Sequence, residues 1–483
     1  MKKRRIPIIP LVIVGLILWT VGGSVICTKM LKNQQMELTL DALSMEEYQS
    51  VFLSMYDIST FSEEDFTDYR AIPTLKLDYC LDSADKINQM LDAVFSSGNQ
   101  ITNVYLGLDP LALWHSEKND ITKVQEAFET GWFAYADAHP EVTFEILFPF
   151  QSMSYWLSLE EGELQASLIL YQQLASILTS RSNITVYYVG AQEWLINNPA
   201  NYVSDFVTNE LVSQKLFLLT FCDHKLQING RNAKEMVEQL SEQIAANREA
   251  PAEYPDFSQW DIVFMGDSIL GNYEGSISIP GVVNGLSGAS VFNCAQGGVS
   301  AAEPAPGMIC FPKMAEDFVN GTVSDSETSF CRGTQEYLSA DHTDKKLCFI
   351  INFGLNDYFG GHAPENPEDA YDITTYAGAM RTGFATLREK YPDAMYIIMG
   401  PGQTTYFSDG TELLSETGGQ LIDYYNLSVA LSEELDIPYL DLYNHFPEGD
   451  DDLIDVLSDG CHYNEYGRYV LGIKIVNFMG SCQ

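Results

Sequence analysis

The sequence predicts an α/β protein with parallel sheets, on three observations. Short apolar runs of strand character alternate with helical patterns along residues 36–250 and again along 261–483. Parallel strands need crossover connections, and the intervening helices supply them. Where the strand runs are clearest, as at 262–265 (IVFM), they are continuously apolar, the pattern of a sheet buried on both faces. The five strands of the second stretch predict a three-layer αβα sandwich with a flavodoxin-like parallel sheet, since such crossovers are nearly always right-handed.

In chain order, residues 1–5 (MKKRR) form a basic tail and residues 6–28 an apolar run. That run is long enough for a transmembrane helix, which takes about 20 residues, and it lacks the Ala-x-Ala of a cleaved signal. Basic residues before the span place the N-terminus in the cytoplasm. The expectation is a single-pass cell-membrane anchor with the remaining chain extracellular; a cleaved signal is the competing reading.

Residues 36–250 form an N-terminal α/β domain, with strands expected at 74–80, 101–108, 142–148, 185–189 and 215–221. Helices are expected at 84–95, 122–138, 159–179 and 232–247. The domain has neither a Gly-Asp-Ser nor an Asp-x-x-His sequence. His115, His139 and His224 have no partner at metal or triad spacing and read as satisfied structural histidines. Residues 251–260, with Pro251 and Pro255, disfavour helix and form the linker.

In the second domain, 261–483, strands are expected at 262–265, 290–294, 347–353, 395–399 and 437–442, and helices at 374–391, 413–434 and 464–479. Four blocks follow strands or lie in the late loop: Gly266-Asp267-Ser268, Asn293-Cys294-Ala295-Gln296-Gly297-Gly298, Gly354-Leu355-Asn356-Asp357 and Asp459-Gly460-Cys461-His462. The carboxyl edge of an open α/β sheet is where ligands bind. A serine hydroxyl needs a base to take its proton, and the base needs a carboxylate to fix its tautomer. Amide donors then stabilise the oxyanion.

In content and order these blocks resemble the SGNH (GDSL-type) hydrolase family over about residues 258–480. The resemblance implies Ser268 as nucleophile, His462 as base and Asp459 as its orienting acid. It also implies an oxyanion hole from the N–H groups of Ser268 and Gly298 with the Asn356 amide, Gly297 being a rival for Gly298. Asp267 reads as a turn residue outside the triad, and Tyr463 stands where the family often has proline. The fragments Gly107-Leu108-Asp109-Pro110, Phe148-Pro149-Phe150 and Asp223-His224 faintly resemble a degenerate second SGNH-like unit in 36–250; an unrelated α/β module is the alternative.

The formal charge is −41, with 67 acidic against 26 basic residues, which argues against nucleic acid and anionic lipid as partners. The nine cysteines include no close pair of the structural-zinc kind; Cys310 and Cys331 flank an acidic loop and are candidates to pair. The acidic run 448–452 reads as solvated and not as a calcium site, and neither metal nor organic cofactor is expected. With the anchor, the resemblance implies a membrane-anchored extracytoplasmic serine esterase acting on a small-molecule or glycan ester, carbohydrate O-deacetylation being a plausible case. An O-acyltransferase of surface glycans and a non-catalytic surface assembly or binding protein are the alternatives.

Overall fold

The computed structural model describes residues 48–59, 61–229, 232–249, 253–323, 328–405, 418–448 and 451–482. They divide into two compact units. One holds the described residues up to Gln192 with Val203–Glu249; the other holds Glu193–Tyr202 with the described residues after Glu249.

Strands of the first unit are β1 (Ser50–Ser54), β2 (Thr74–Leu77), β3 (Asn103–Gly107), β4 (Thr143–Leu147) and β5 (Ile184–Tyr187). After the short ribbon of β6 (Tyr202–Ser204) and β7 (Val207–Thr208) comes β8 (Gln227–Ile228). The sheet order is β2-β1-β3-β4-β5-β8, parallel except for β8. Several features depart from the expected elements, among them the helix expected at 122–138, which is two, Ile121–Thr130 and Trp132–Ala138, separated at Gly131. Strand β1 was not expected, and residues 215–221, expected as a strand, are the end of the helix Glu210–Phe217 and the π-helical turn Leu218–Cys222. A short apolar run reads alike as buried strand or buried helix. Here the Asn209 side chain accepts from the Val212 N–H and caps a helix upstream of the run.

The second unit has strands β9 (Trp260–Gly266), β10 (Ser290–Asn293), β11 (Lys346–Asn352), β12 (Met395–Met399) and β13 (Tyr439–Leu440), all parallel in the order β10-β9-β11-β12-β13. This is the expected flavodoxin-like order. Every residue of β9 is buried, and its side chains alternate between two cores. Val263 and Met265 join Phe349, Ile351 and Ile398 under the helices Phe311–Asn320, Tyr376–Lys390 and Leu421–Leu435. Ile262 and Phe264 join Ile350 and Ile397 under the helices Ile279–Ser287 and Glu465–Ser481. With β10 on one side of the first strand and β11 on the other, the chain reverses direction across the sheet at the carboxyl end of β9, where such folds bind ligands.

The expected localisation is corrected. Among the described residues no helix is long and apolar enough to cross a membrane. The longest, Glu161–Leu178, has 18 residues, opens with Glu161 and Glu163, and buries one side only. The apolar run at 6–28 lies outside the described residues, so the transmembrane helix and the single-pass extracellular placement have no structural support. The described cysteines, Cys310 and Cys331 included, are not in disulfides.

Candidate active site

Ser268 sits at the first turn of the short helix Ser268–Gly271, directly beyond β9. Asp267 caps that turn, its Oδ1 accepting the Ile269 N–H at 2.9 Å, and the adjacent Ser268 is half-buried. The turn 459–463 is pinned from both sides. Ser458 N–H donates to the His462 carbonyl at 2.8 Å and Asn464 N–H to the Val456 carbonyl at 2.9 Å. The Asn464 side chain caps the last helix by accepting the Gly467 N–H at 2.8 Å. Gly467 cannot carry a side chain there, since a Cβ would lie 2.2 Å from the Val456 carbonyl oxygen.

This framework brings three of the expected residues into one hydrogen-bonded line. Asp459 Oδ1 accepts the His462 N–H at 2.9 Å and the Cys461 N–H at 3.2 Å. Asp459 Oδ2 lies 2.7 Å from His462 Nδ1, and His462 Nε2 lies 2.8 Å from Ser268 Oγ. Burial pulls the Asp459 carboxyl upward, but the His462 and Cys461 N–H groups and the imidazole outweigh it and hold it below its ordinary value. An ionised carboxylate only accepts, so Nδ1 carries the hydrogen and Nε2 is left to accept from the serine.

The expected blocks also leave donor groups for a ligand. Among the described residues the N–H groups of Ser268, Gly297 and Gly298 have no hydrogen-bond partner. Gly298 has φ +78° with open space where a Cβ would go, so the backbone conformation and not crowding calls for glycine. Gly297 packs against Ser268: a Cβ on it would lie 3.8 Å from Ser268 Cβ. Asn356 donates one amide hydrogen to the Val299 carbonyl at 3.1 Å, which leaves its second hydrogen for a ligand.

Two residues given no role from the sequence hold these parts together. The fully buried Asp357 accepts the N–H groups of Ala301 and Ala302 at 2.9 and 2.8 Å, tying the Gly298 loop to the Asn356 helix. Burial raises its carboxyl, and those two N–H groups oppose the rise. Arg468, 1% exposed, donates from Nε to the Ile277 carbonyl at 2.5 Å and from Nη1 to the Tyr463 carbonyl at 2.6 Å. Its guanidinium lies 3.6 Å from the centre of the Tyr273 ring, so it joins the segment after Ser268 to the residue after His462. A lone arginine one position past Gly467, on an otherwise apolar helix face, was the available signal.

The other candidates stay apart from this line. His115 pairs with Asn119, His139 with Glu141 and His224 with Tyr187. The acidic run at 448–452 is only partly within the described residues. Asp459, Cys461 and His462 form a group whose possible metal-ligand atoms lie within 4.8 Å of one another.

Asp267 provides a prediction about stability. Burial raises its carboxyl to about 7, the Ile269 N–H opposing and the nearby Asp357 charge adding to the rise. In the unfolded chain it titrates near about 3.9. Between these values the folded protein keeps a proton that the unfolded chain has released, so stability falls as pH rises through the window and stays lower above it. Asp267→Asn keeps a capping oxygen and removes the ionisable group. Its thermal inactivation midpoint should exceed that of the wild type at about pH 8 and differ little at about pH 4. Equal shifts at both would mean that this carboxyl does not titrate in that range.

Residues 264–469 match the model of the GDSL-like lipase/acylhydrolase family. No curated protein matches the chain by sequence. Solved structures similar to it include a possible lipase from Chitinophaga pinensis, 15% identical with a TM-score of 0.32, covering 46% of this chain and 98% of that one. A carbohydrate acetylesterase from Sinorhizobium meliloti is 12% identical with a TM-score of 0.32, covering 46% of this chain and 100% of that one. A carbohydrate esterase family 2 enzyme with a carbohydrate-binding domain, from Corynascus thermopiles, is 16% identical with a TM-score of 0.31, covering 48% of this chain and 67% of that one.

Proposed function

We propose, for a protein whose residues 264–469 form a GDSL-like lipase/acylhydrolase domain and which is accordingly a serine esterase, that Ser268, His462 and Asp459 carry out the hydrolysis and that the substrate is an O-acetylated carbohydrate. The observation that carries the reading is the continuous line from Ser268 Oγ to Nε2 at 2.8 Å and from Nδ1 to Asp459 at 2.7 Å. Ser268 Oγ attacks the ester carbonyl while Nε2 takes its proton. The N–H groups of Ser268 and Gly298 and the free hydrogen of the Asn356 amide receive the oxyanion. Nε2 then returns the proton to the leaving alkoxide, and water attacks the acyl-enzyme by the same route in reverse order. Asp459 holds the imidazole in the tautomer that leaves Nε2 open and stabilises the imidazolium.

The openness of the site supports the substrate class. Ser268 is half-buried, and the His462 and Asp459 side chains beside it are 21% and 47% exposed, which suits a small acyl group on a bulky polar carrier. The charge of −41 disfavours phosphorylated carriers.

The test is acetate release from an O-acetylated xylo-oligosaccharide, compared with hydrolysis of aryl esters of increasing chain length. The expected result is acetate release with kcat/KM falling as the acyl chain grows; preference for long acyl chains with no acetate release would overturn the substrate reading. Asn356→Ala removes one oxyanion donor and should lower kcat about 100- to 1,000-fold, with KM little changed. An unchanged kcat would remove Asn356 from the oxyanion hole.

A further inference from the structure

We infer that Asp459, Cys461 and His462 form an inhibitory site for a borderline-soft divalent cation of the zinc class, through which metal binding switches the esterase off. The inhibition, though not the binding, rests on the reading of His462 as the base. The motif here is Asp-Gly-Cys-His, and the proposed hydrolysis leaves the thiol without a task. The Cys461 side chain is buried against the imidazole, with Sγ 3.4 Å from Nδ1, the same nitrogen that stands 2.7 Å from Asp459 Oδ2.

The spacing fits the ion. Zinc–sulfur and zinc–nitrogen bonds of about 2.3 and 2.0–2.1 Å at a tetrahedral angle put sulfur and nitrogen roughly 3.5 Å apart, close to the observed 3.4 Å. The carboxylate oxygen must withdraw by roughly 0.6–0.8 Å to open the same angle at zinc, and its side chain is nearly half exposed. That exposure also leaves the fourth position to water. A thiolate, an imidazole and one carboxylate favour zinc or copper over magnesium or calcium. Among the described residues this is the group of three such side chains whose ligand atoms close to this degree.

Binding needs no oxidant. The Cys461 thiol gives its proton to solvent and becomes the thiolate ligand. Nδ1 loses its hydrogen to the metal bond and Nε2 gains one from solvent, so a single proton is released overall. An Nε2 that carries hydrogen cannot accept one from Ser268 Oγ, and the carboxylate that set the opposite tautomer is now a ligand.

The experiment uses the full chain. Aryl acetate hydrolysis is measured over a range of buffered free Zn²⁺, each protein relative to its own metal-free rate, for wild type, Cys461→Ala and Cys461→Ser. Co²⁺ binding is followed in parallel by its thiolate charge-transfer absorption, and a fluorophosphonate probe reports whether Ser268 is reactive without metal. We expect zinc inhibition of the wild type that a chelator reverses. Both variants should require at least the roughly 10- to 100-fold more zinc that loss of even an outer-sphere partner costs, and the cobalt–thiolate band should be lost. Equal zinc sensitivity of the three proteins, or no thiolate band in the wild type, overturns the site. A thiolate band without inhibition overturns the switch. An esterase still active as His462→Ala would instead fail the catalytic reading, whatever the metal does.

Discussion

Ser268→Ala should reduce turnover of any ester substrate to the background left by binding and the oxyanion donors, and His462→Ala should do nearly the same. Ser268 Oγ and His462 Nε2 are 2.8 Å apart, so in the proposed mechanism neither carries the attack without the other. In comparable serine hydrolases loss of either residue costs about 10⁶-fold in kcat, and removing both costs little more. The double variant should therefore match the single ones within a small factor. Fluorophosphonate labelling should vanish in Ser268→Ala, where no hydroxyl remains. Both variants should unfold at nearly the wild-type temperature, because Ser268 and His462 are only half-buried and belong to neither hydrophobic core. Multiplicative losses in the double variant, or full labelling of Ser268→Ala, would place the nucleophile elsewhere.

Asp459→Asn should be the next most damaging change, at about 10⁴-fold in kcat, the precedent for the same exchange in Ser-His-Asp enzymes. Its carboxylate accepts two backbone N–H groups on one oxygen and Nδ1–H on the other. An asparagine can keep the two backbone bonds through its oxygen, which leaves its NH₂ facing Nδ1. Nδ1 must then accept, and the hydrogen moves to Nε2, where it blocks proton transfer from Ser268. Asp459→Ala imposes no such tautomer, and water can reach a side chain that is 47% exposed, so it should retain more activity than Asp459→Asn. The reverse order, read as kcat at the pH optimum of each variant, would mean that the carboxylate acts through charge alone. A loss of less than about tenfold in Asp459→Asn would take it out of the triad.

Much of the esterase unit was legible because the rules that reveal it are local. An unbroken apolar run of 262–265 ending in Gly266 identifies a doubly covered strand from its neighbours alone, and the order of the four blocks carried the family resemblance. Asn464 and Gly467 marked the start of the last helix through a cap that spans three residues. The same local rules misread 215–221, where a short apolar run does not distinguish strand from helix. They also missed β1, whose residues pair with β2 and β3 far along the chain.

What the sequence by itself determined is the inventory of chemistry and its order: one serine after a buried strand, two stretches with amide donors, and one Asp-x-x-His before a helix. Tertiary structure alone decided that Ser268 and His462, 194 positions apart, meet at hydrogen-bond distance. It also decided that Asp357 clamps a loop 56 positions away and that Arg468 reaches back 191 positions to Ile277. Caps and periodicity are fixed by groups a few residues apart. These contacts are fixed by sheet order and by burial, which no neighbouring residue records.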